Sequence, residues 1–132
     1  MIDVQTLEDI NLIITDGNSY LIDRNGVDAI VKSAMQTFGG EFLIADPIDR
    51  IIKVYYHLTT TQFFSDGNKR TAEVSTFVNF KSLGCELKIK DTVLGKLTLD
   101  IANHRVSEED ANKIIRSYLW DTKIVQKLCK LV

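Results

Sequence analysis

Apolar residues recur every three or four positions along almost the whole chain, a spacing typical of helices that bury one face. Only one proline occurs among the 132 residues, and no glycine- or serine-rich linker, repeat or low-complexity tract interrupts the pattern. The regular elements should therefore be joined by short loops. We predict an all-α fold, a compact helical bundle formed by a single domain over residues 1–132, with its core in about 6–119.

The first two predicted helices are bounded by capping and glycine signals. Thr6 is the predicted N-cap of the first, which should end by Asp16-Gly17, and the second should extend to Gly39-Gly40. Their apolar positions are Leu7, Ile10, Ile13 and Ile14 in the first, and Val27, Ile30, Val31, Ala34 and Met35 in the second.

The next segment, residues 41–45, is too short for a helix and apolar enough for a short strand or a hairpin edge. Its candidate surface residues are Phe42, Leu43 and Ile44. Asp46-Pro47 then has the pattern of an N-cap followed by proline at the first helical position, where the missing N–H costs nothing. That third helix should end in the hydroxyl-rich residues 59–61.

The second half of the chain follows the same helical pattern. A helix should begin near Asn68 and end at Gly84, a left-handed C-terminal residue, before a short strand over 86–89. Ser107 and Asp110 form a predicted capping box. Residues 121–131 have the pattern of an amphipathic helix. The predicted apolar faces are Ala72, Val74, Phe77, Val78 and Phe80 in the Asn68 helix, and Ile114, Ile115, Tyr118 and Leu119 after Ser107.

Composition excludes several classes of function. A net charge of −2 and an isoelectric point near 5.6 argue against a surface that chiefly binds nucleic acid or anionic lipid. Cys85 and Cys129 form no CxxC pair, so neither a disulfide framework nor a structural zinc site is indicated. No apolar run approaches membrane-spanning length and the first residues do not resemble a signal peptide. We expect a cytoplasmic location.

The segment most informative about chemistry is a loop that leads directly into a helix N-terminus. Free backbone N–H groups and the positive end of a helix dipole form an anion site there, and Gly67 lets the backbone approach closely. Lys69 and Arg70 add two charges, and Asp66 could bind Mg²⁺ that bridges phosphate oxygens. Phe64 should anchor the loop to the core. The segment is Gln62-Phe63-Phe64-Ser65-Asp66-Gly67-Asn68-Lys69-Arg70-Thr71-Ala72.

A structural explanation of the same residues stands beside this one. Asp-Gly is a common turn, Asp66 or Asn68 is a good N-cap, and Lys69-Arg70 could be solvated. Cations in a first helical turn nevertheless oppose the dipole, which an anionic ligand would explain.

The run also resembles a family signature. The Fic/Doc motif is His-x-Phe-x-Asp/Glu-Gly/Ala-Asn-Gly/Lys-Arg, and this chain matches it everywhere except at the first position. Lys69, where most Fic proteins have glycine, together with Thr71-Ala72, resembles the Doc branch, the toxins of toxin–antitoxin pairs. The resembling sequence is Phe64-x-Asp66-Gly67-Asn68-Lys69-Arg70.

The resemblance implies a role for each matched position. Asp66 would be the metal ligand for Mg²⁺, Gly67 to Arg70 would bind the phosphates of ATP, and Phe64 would be structural. Fic proteins transfer AMP to a protein hydroxyl, whereas Doc-type proteins transfer the terminal phosphate, with elongation factor Tu as the known kind of target. Lys69 favours phosphate transfer. Phe42, Leu43 and Ile44 would lie in the family's target-binding flap.

Two positions depart from the family. Glu73 stands where a second arginine is found, although Doc-like members commonly lack it. Gln62 stands at the position of the catalytic histidine, and its neutral amide has no useful basicity near pH 7. His57 and His104 are better explained as structural residues than as replacements.

Three functions remain open from the sequence. The chain could be a Doc-like toxin in which Gln62 is a detoxifying change, a natural nucleotide-binding pseudoenzyme or interaction module, or an active transferase with another base, including an AMP-transferring one. If it is toxin-like, an antitoxin protein should be its partner, because the family's built-in inhibitory motif, Ser/Thr-x-x-x-Glu-Gly/Asn, is absent. Direct nucleic-acid and membrane partners are not expected.

Overall fold

A computed structural model describes residues 1–121, 127–128 and 130–131. Within them the fold is a helical bundle with two small antiparallel sheets, which confirms the predicted all-α class with a short hairpin flap. The helices are α1 (Val4–Ile14), α2 (Arg24–Ala34), α3 (Pro47–Thr60), α4 (Asn68–Leu83), α5 (Asp91–Ala102) and α6 (Glu108–Ser117). The strands are β1 (Thr37–Phe38), β2 (Glu41–Phe42), β3 (Cys85–Leu87) and β4 (Leu119–Asp121).

Helix α3 is the centre of the bundle, since α2, α4, α5 and α6 all pack against it. Its Ile52 and Tyr55 are completely buried. The Tyr55 hydroxyl forms a hydrogen bond of 2.7 Å with the hydroxyl of Thr98 on α5. Burial raises the pKa of Tyr55 to about 12, so this phenol stays protonated and can keep its polar end satisfied inside an apolar core.

The boundaries of α3 and α4 confirm the signals in the sequence. The Asp46 side chain accepts a hydrogen bond from the Ile48 N–H at 2.8 Å, and Pro47 is the first helical residue. Helix α4 ends at Gly84, which has a φ of 89°. Pro47 thus marks the start of the helix before the motif loop, and Gly84 marks the end of the helix after it.

Helix α1 differs from its prediction. Asp3, rather than Thr6, is the N-cap, since its carboxylate accepts the Thr6 N–H at 2.9 Å. The helix therefore begins one turn earlier and buries Val4, Leu7 and Asn11. Ile13 lies off this stripe and is 79% exposed, so its predicted place in the core was wrong. One core position of this helix is taken by the polar residue Asn11, which an apolar spacing cannot reveal.

The segment between α2 and α3 forms a hairpin, as the sequence indicated. Helix α2 ends at Ala34, earlier than predicted, because residues 37–42 pair as β1 and β2 across Gly39 and Gly40. Both glycines have positive φ angles, which favour this kind of tight hairpin turn. Phe42 covers the Arg50 guanidinium, which lies 3.8 Å from the centre of the ring.

Helix α4 buries mainly polar residues, contrary to the prediction. Ala72 and Phe80 are buried as expected, but Phe77 and Val78 are exposed. Two of the buried hydroxyls bond within the helix, since Ser75 and Thr76 both donate to the Ala72 carbonyl oxygen. These internal bonds let the polar residues pack in the core without losing hydrogen bonds. The buried polar residues of α4 are Thr71, Ser75, Thr76 and Asn79.

The C-terminal part of the chain also differs from its prediction. Ser107 caps α6 as predicted and Ile115 is buried, but α6 ends at Ser117. Leu119 belongs to β4, which pairs with β3 through Asp121, so the predicted helix over 121–131 does not begin at 121. Residues 122–126 and 129 of that prediction, including Cys129, lie outside the described residues. Cys85 is a buried free thiol.

No helix in the described part of the chain combines the length and the apolar character that crossing a bilayer requires.

Arg116 connects α6 to the start of α3. Its guanidinium donates to Asp46 at 2.7 Å and to Asp49 at 2.6 Å, while Asn112 also donates to Asp49. The hydrogen bonds from Arg116 and Asn112 hold the pKa of the Asp49 carboxyl below its usual value. These bonds fix the helix that follows the hairpin.

Replacing Arg116 by methionine should lower the free energy of unfolding by about 1 kcal/mol at pH 7, since the pair is partly exposed and screened. Because the folded-state pKa of Asp49 is depressed, its contribution is present above the unfolded-state pKa and is lost as pH falls through the folded-state value. Urea denaturation of both proteins at pH 7, 4 and 3 should show the difference shrinking with acidity. A difference independent of pH would contradict this account.

Candidate functional site

The loop between α3 and α4 is fixed by backbone pairing with the segment that follows α1. The Ile22 N–H donates to the Phe63 carbonyl oxygen at 2.7 Å, and the Ser65 N–H donates to the Tyr20 carbonyl oxygen at 3.0 Å. Leu21 and Phe64 form an antiparallel bridge between these bonds. The loop therefore has the geometry of a short strand pair, which restricts its backbone.

Asn68 closes the loop from the helix side. Its Nδ2 donates to the Phe64 carbonyl oxygen at 2.8 Å, and its Oδ1 accepts the Phe64 N–H at 2.9 Å. Phe64 itself is only 3% exposed, so it lies in the core as the sequence indicated. The Asn68 side chain therefore binds the loop, and only its backbone N–H is left to face a ligand at the helix start.

Helix α4 begins without a cap. Gly67 occupies the N-cap position with a φ of 72°, and within the described residues no side chain accepts a capping hydrogen bond from the first N–H groups of the helix. Helices α1, α2, α3 and α6, in contrast, begin under capping side chains, whereas α5 begins, like α4, without one. The uncapped N–H groups of a helix start are donors that seek an acceptor, and an anion supplies one.

A cleft of about 630 Å³ opens at this helix start. The end of α3, the loop, the start of α4 and the end of α5 all contribute to it. Lys69 and Arg70 are exposed, so two cations lie beside the uncapped helix start. The lining residues are Thr59, Thr60, Gln62, Ser65, Asp66, Gly67, Asn68, Lys69, Arg70, Ala102 and Asn103.

Sequence reasoning missed the polar residues behind the loop. The Asn11 Nδ2 donates to the Asp66 carbonyl oxygen at 2.8 Å and to the Thr71 hydroxyl at 3.0 Å. The Ser19 hydroxyl donates to the same Asp66 oxygen at 3.0 Å. No sequence pattern connects α1 with the loop, because the contact depends on how α1 packs on α4. Asn103, from the end of α5, was missed for the same reason.

The Asp66 carboxylate is the acidic group of the cleft. Its Oδ1 accepts the N–H of Gly67 at 2.8 Å. Among the described residues no group of three or more His, Cys, Asp and Glu side chains could bind a metal by itself. A single exposed carboxylate fits Mg²⁺ that arrives with phosphate, because Mg²⁺ uses one or two carboxylates and completes its shell with water and substrate oxygens.

Glu73 lies one turn after Arg70 on α4. Partial burial raises the pKa of the Glu73 carboxyl, Arg70 lowers it, and Asp91 raises it. Arg70 therefore has an acidic neighbour within its own helix, at the position of the family's second arginine. The net positive charge beside the cleft is smaller than two cations alone would give.

Gln62 lies in the cleft and is exposed. Of the two histidines, neither lines the cleft within the described residues. His57 is on the last turn of α3, where its Nε2 is 3.6 Å from a Glu108 carboxylate oxygen and its ring packs edge-on against Tyr56. His104 follows the end of α5 with a φ of 58°. Both positions agree with structural roles.

None of the three predicted flap residues is among the residues that line this cleft. Phe42 packs over Arg50, and the Leu43 N–H donates to the Gln36 carbonyl oxygen at 3.0 Å. Ile44 lines a second cleft of about 410 Å³ with residues of α3 and α6. The described residues that line the two clefts are different sets.

Comparison with protein families matches residues 2–78 to the Fic/DOC family, a span that covers more than half of the 132 residues and includes the loop and most of α4. The chain belongs to the Fic/DOC family. Among curated proteins, none is similar enough to this chain to be matched. The family match includes α1 as well as the motif, so Asn11 and the loop that it contacts both lie inside the matched span.

Gly67 should be intolerant of any side chain. A Cβ there would lie 2.7 Å from the Thr15 methyl and 3.2 Å from the Asn11 Nδ2, and the φ of 72° is itself strained for other residues. We expect Gly67→Ala to lower the free energy of unfolding by about 2 kcal/mol, of which the backbone conformation accounts for about half.

Gly17→Ala is the matched control, because Gly17 has a φ of 77° and nothing within 4 Å of the added Cβ. It should lose about 1 kcal/mol, the cost of the backbone conformation alone. Urea denaturation measures both variants. Equal losses would show that the contact with α1 is unimportant.

Proposed function

We propose that this chain is a Doc-like nucleotide-binding protein that resembles ATP-dependent protein phosphotransferases, with its transfer activity weakened by Gln62. ATP with Mg²⁺ would be the ligand, and a hydroxyl side chain of a protein such as elongation factor Tu would be the acceptor. An antitoxin protein would be the natural partner. Membership of the Fic/DOC family supports this proposal, since the motif residues fall within the matched span.

One observation supports phosphate binding most directly. Helix α4 starts with a left-handed glycine and no capping side chain in the described part of the chain, and its first turn has Lys69 and Arg70 but no acidic residue. Cations at a helix start are unfavourable unless an anion binds between them and the free N–H groups. A polyphosphate satisfies both the donors and the charges.

Each of these side chains would have a role in the proposed transfer. The acceptor hydroxyl oxygen would attack the terminal phosphorus of ATP, the bond from that phosphorus to the bridging oxygen would break, and ADP would leave. Lys69, Arg70 and the helix N–H groups would stabilise the charge on the phosphate oxygens. Asp66 would bind Mg²⁺, which supplies charge neutralisation when it is present. Phosphoryl transfer depends largely on this positioning.

The acceptor proton has no strong base in this cleft. Gln62 lies at the position of the family's histidine, and its amide cannot accept a proton near pH 7. Loss of a general base typically lowers the rate by a factor of about a hundred to ten thousand. We therefore infer slow transfer, or none on a biological timescale, together with retained nucleotide binding.

A second function, a nucleotide-binding pseudoenzyme or interaction module, is favoured by a specific observation. His57 is paired with Glu108 and does not line the cleft, so it is not placed to replace the missing base. Transfer of AMP, the third alternative, would place the nucleotide in the opposite direction, and Lys69 favours the terminal-phosphate orientation.

ATP binding is the first test. Lys69→Ala and Arg70→Ala should each weaken MgATP binding by about ten-fold or more, because each removes a charge-assisted contact to phosphate. Lys81→Ala is the control, since Lys81 is an exposed lysine at the opposite end of the same helix. Isothermal titration calorimetry measures the dissociation constants. Binding that is equally strong in all four proteins would contradict phosphate recognition at this helix start.

Restoring a base separates the remaining alternatives. Gln62→His should increase transfer of the terminal phosphate from labelled ATP to a protein in a cell extract by a factor of about a hundred to ten thousand. Adding Arg70→Ala to Gln62→His should remove that gain. Label in the AMP part of ATP instead would indicate AMP transfer. If Gln62→His binds ATP without transferring either group, the pseudoenzyme function is supported.

A further inference from the structure

Two buried polar side chains with no role in the proposed transfer lie directly behind the cleft. Asn11 is 1% exposed and Ser19 is 5% exposed. Both donate to one atom, the Asp66 carbonyl oxygen, at 2.8 Å and 3.0 Å. Two donors from outside the loop fix the direction of that carbonyl, because turning it away would leave buried donors without an acceptor.

The direction of this carbonyl determines the direction of a second group. The Asp66 carbonyl and the Gly67 N–H belong to one planar trans peptide, so the N–H points away from the oxygen. That N–H donates to the Asp66 Oδ1 at 2.8 Å. Asn11 and Ser19 hold the Asp66 carbonyl oxygen on their side of the peptide. The N–H on the opposite side of the same peptide plane therefore points at the Asp66 carboxylate and donates to one of its oxygens.

We propose that Asn11 and Ser19 are positioning residues for the Asp66 carboxylate. They act through the Asp66–Gly67 peptide plane and keep the carboxylate in one orientation for a divalent cation that arrives with a nucleotide. The inference rests on the proposed function, since the cation needs phosphate oxygens to complete its shell. Residues that hydrogen-bond to a metal ligand without touching the metal commonly change the metal affinity by about ten-fold to a hundred-fold when they are mutated.

Further contacts make the positioning specific. Ser19 also accepts the Asp66 N–H at 3.2 Å, so the peptide groups on both sides of Asp66 are bonded to it. The second hydrogen of the Asn11 amide goes to Thr71 on α4, which ties the same asparagine to the helix that binds phosphate. Asn11 thus connects α1, the loop and α4 at one point.

The test compares ATP binding with and without a cation. Asn11→Leu should weaken MgATP binding by about ten-fold to a hundred-fold, whereas ATP in excess EDTA, which binds the N–H groups and cations alone, should change by less than about three-fold. Ser19→Ala should show the same split to a smaller extent. Asn79→Leu is the matched control, because Asn79 is a 5% exposed asparagine of α4 that bonds to the Ile2 N–H away from the cleft.

A second readout needs no nucleotide. In the free protein, amide hydrogen exchange at Gly67, followed by NMR, should be faster in Asn11→Leu than in wild type and unchanged in Asn79→Leu. Equal loss of ATP affinity with and without Mg²⁺, or unchanged Gly67 exchange in a folded Asn11→Leu, would overturn the inference. If Asn11→Leu does not fold, the smaller change Ser19→Ala decides by the same criteria.

Failure of the proposed function gives a different result. A wild-type chain that binds ATP neither with Mg²⁺ nor in EDTA overturns the proposed function and the metal role inferred for Asp66. The Gly67 exchange rates in the three variants then still decide whether Asn11 and Ser19 orient the peptide.

Discussion

The double hydrogen bond between the Asn68 side chain and the Phe64 backbone closes the loop that joins α3 to α4, and the site depends on it. An asparagine at the first helical position would normally be free to cap the helix or to bind solvent. Here both of its polar atoms are used by the loop, so the helix start is left open while Phe64 stays in the core. The helix start, which we propose as the anion site, thus stays uncapped because the Asn68 side chain is already bonded to the loop.

The interior behind this site is more polar than a helical bundle requires. Asn11, Ser19, Thr71 and Ser75 are all buried, and their side chains form hydrogen bonds with the loop or with α4. Apolar packing around α3 supplies most of the stabilisation, since α2, α4, α5 and α6 surround it. The polar residues instead fix the orientation of the loop relative to α1 and α4, because a hydrogen bond specifies an angle as well as a distance.

The sequence predicted those features that depend on local chemistry. Asp46-Pro47, Ser107 and Gly84 mark their helix ends as expected, and the motif segment leads from a loop into the start of α4 as its composition indicated. It failed where tertiary packing decides. Asn11 takes a core position that an apolar pattern assigns to its neighbours, Ile13 faces solvent, and β4 replaces a helical continuation through Leu119. Long-range polar contacts leave no periodic signal along the chain.

The close approach of Gly67 to Thr15 and Asn11 links two segments that lie far apart in sequence. Because the motif of this family allows alanine as well as glycine at this position, the space for that methyl group must come from the end of α1. Relatives with alanine should therefore have a residue smaller than threonine at the position of Thr15, or a shifted α1. We therefore expect the residues at these two positions to vary together within the family, with a larger residue at one position matched by a smaller residue at the other.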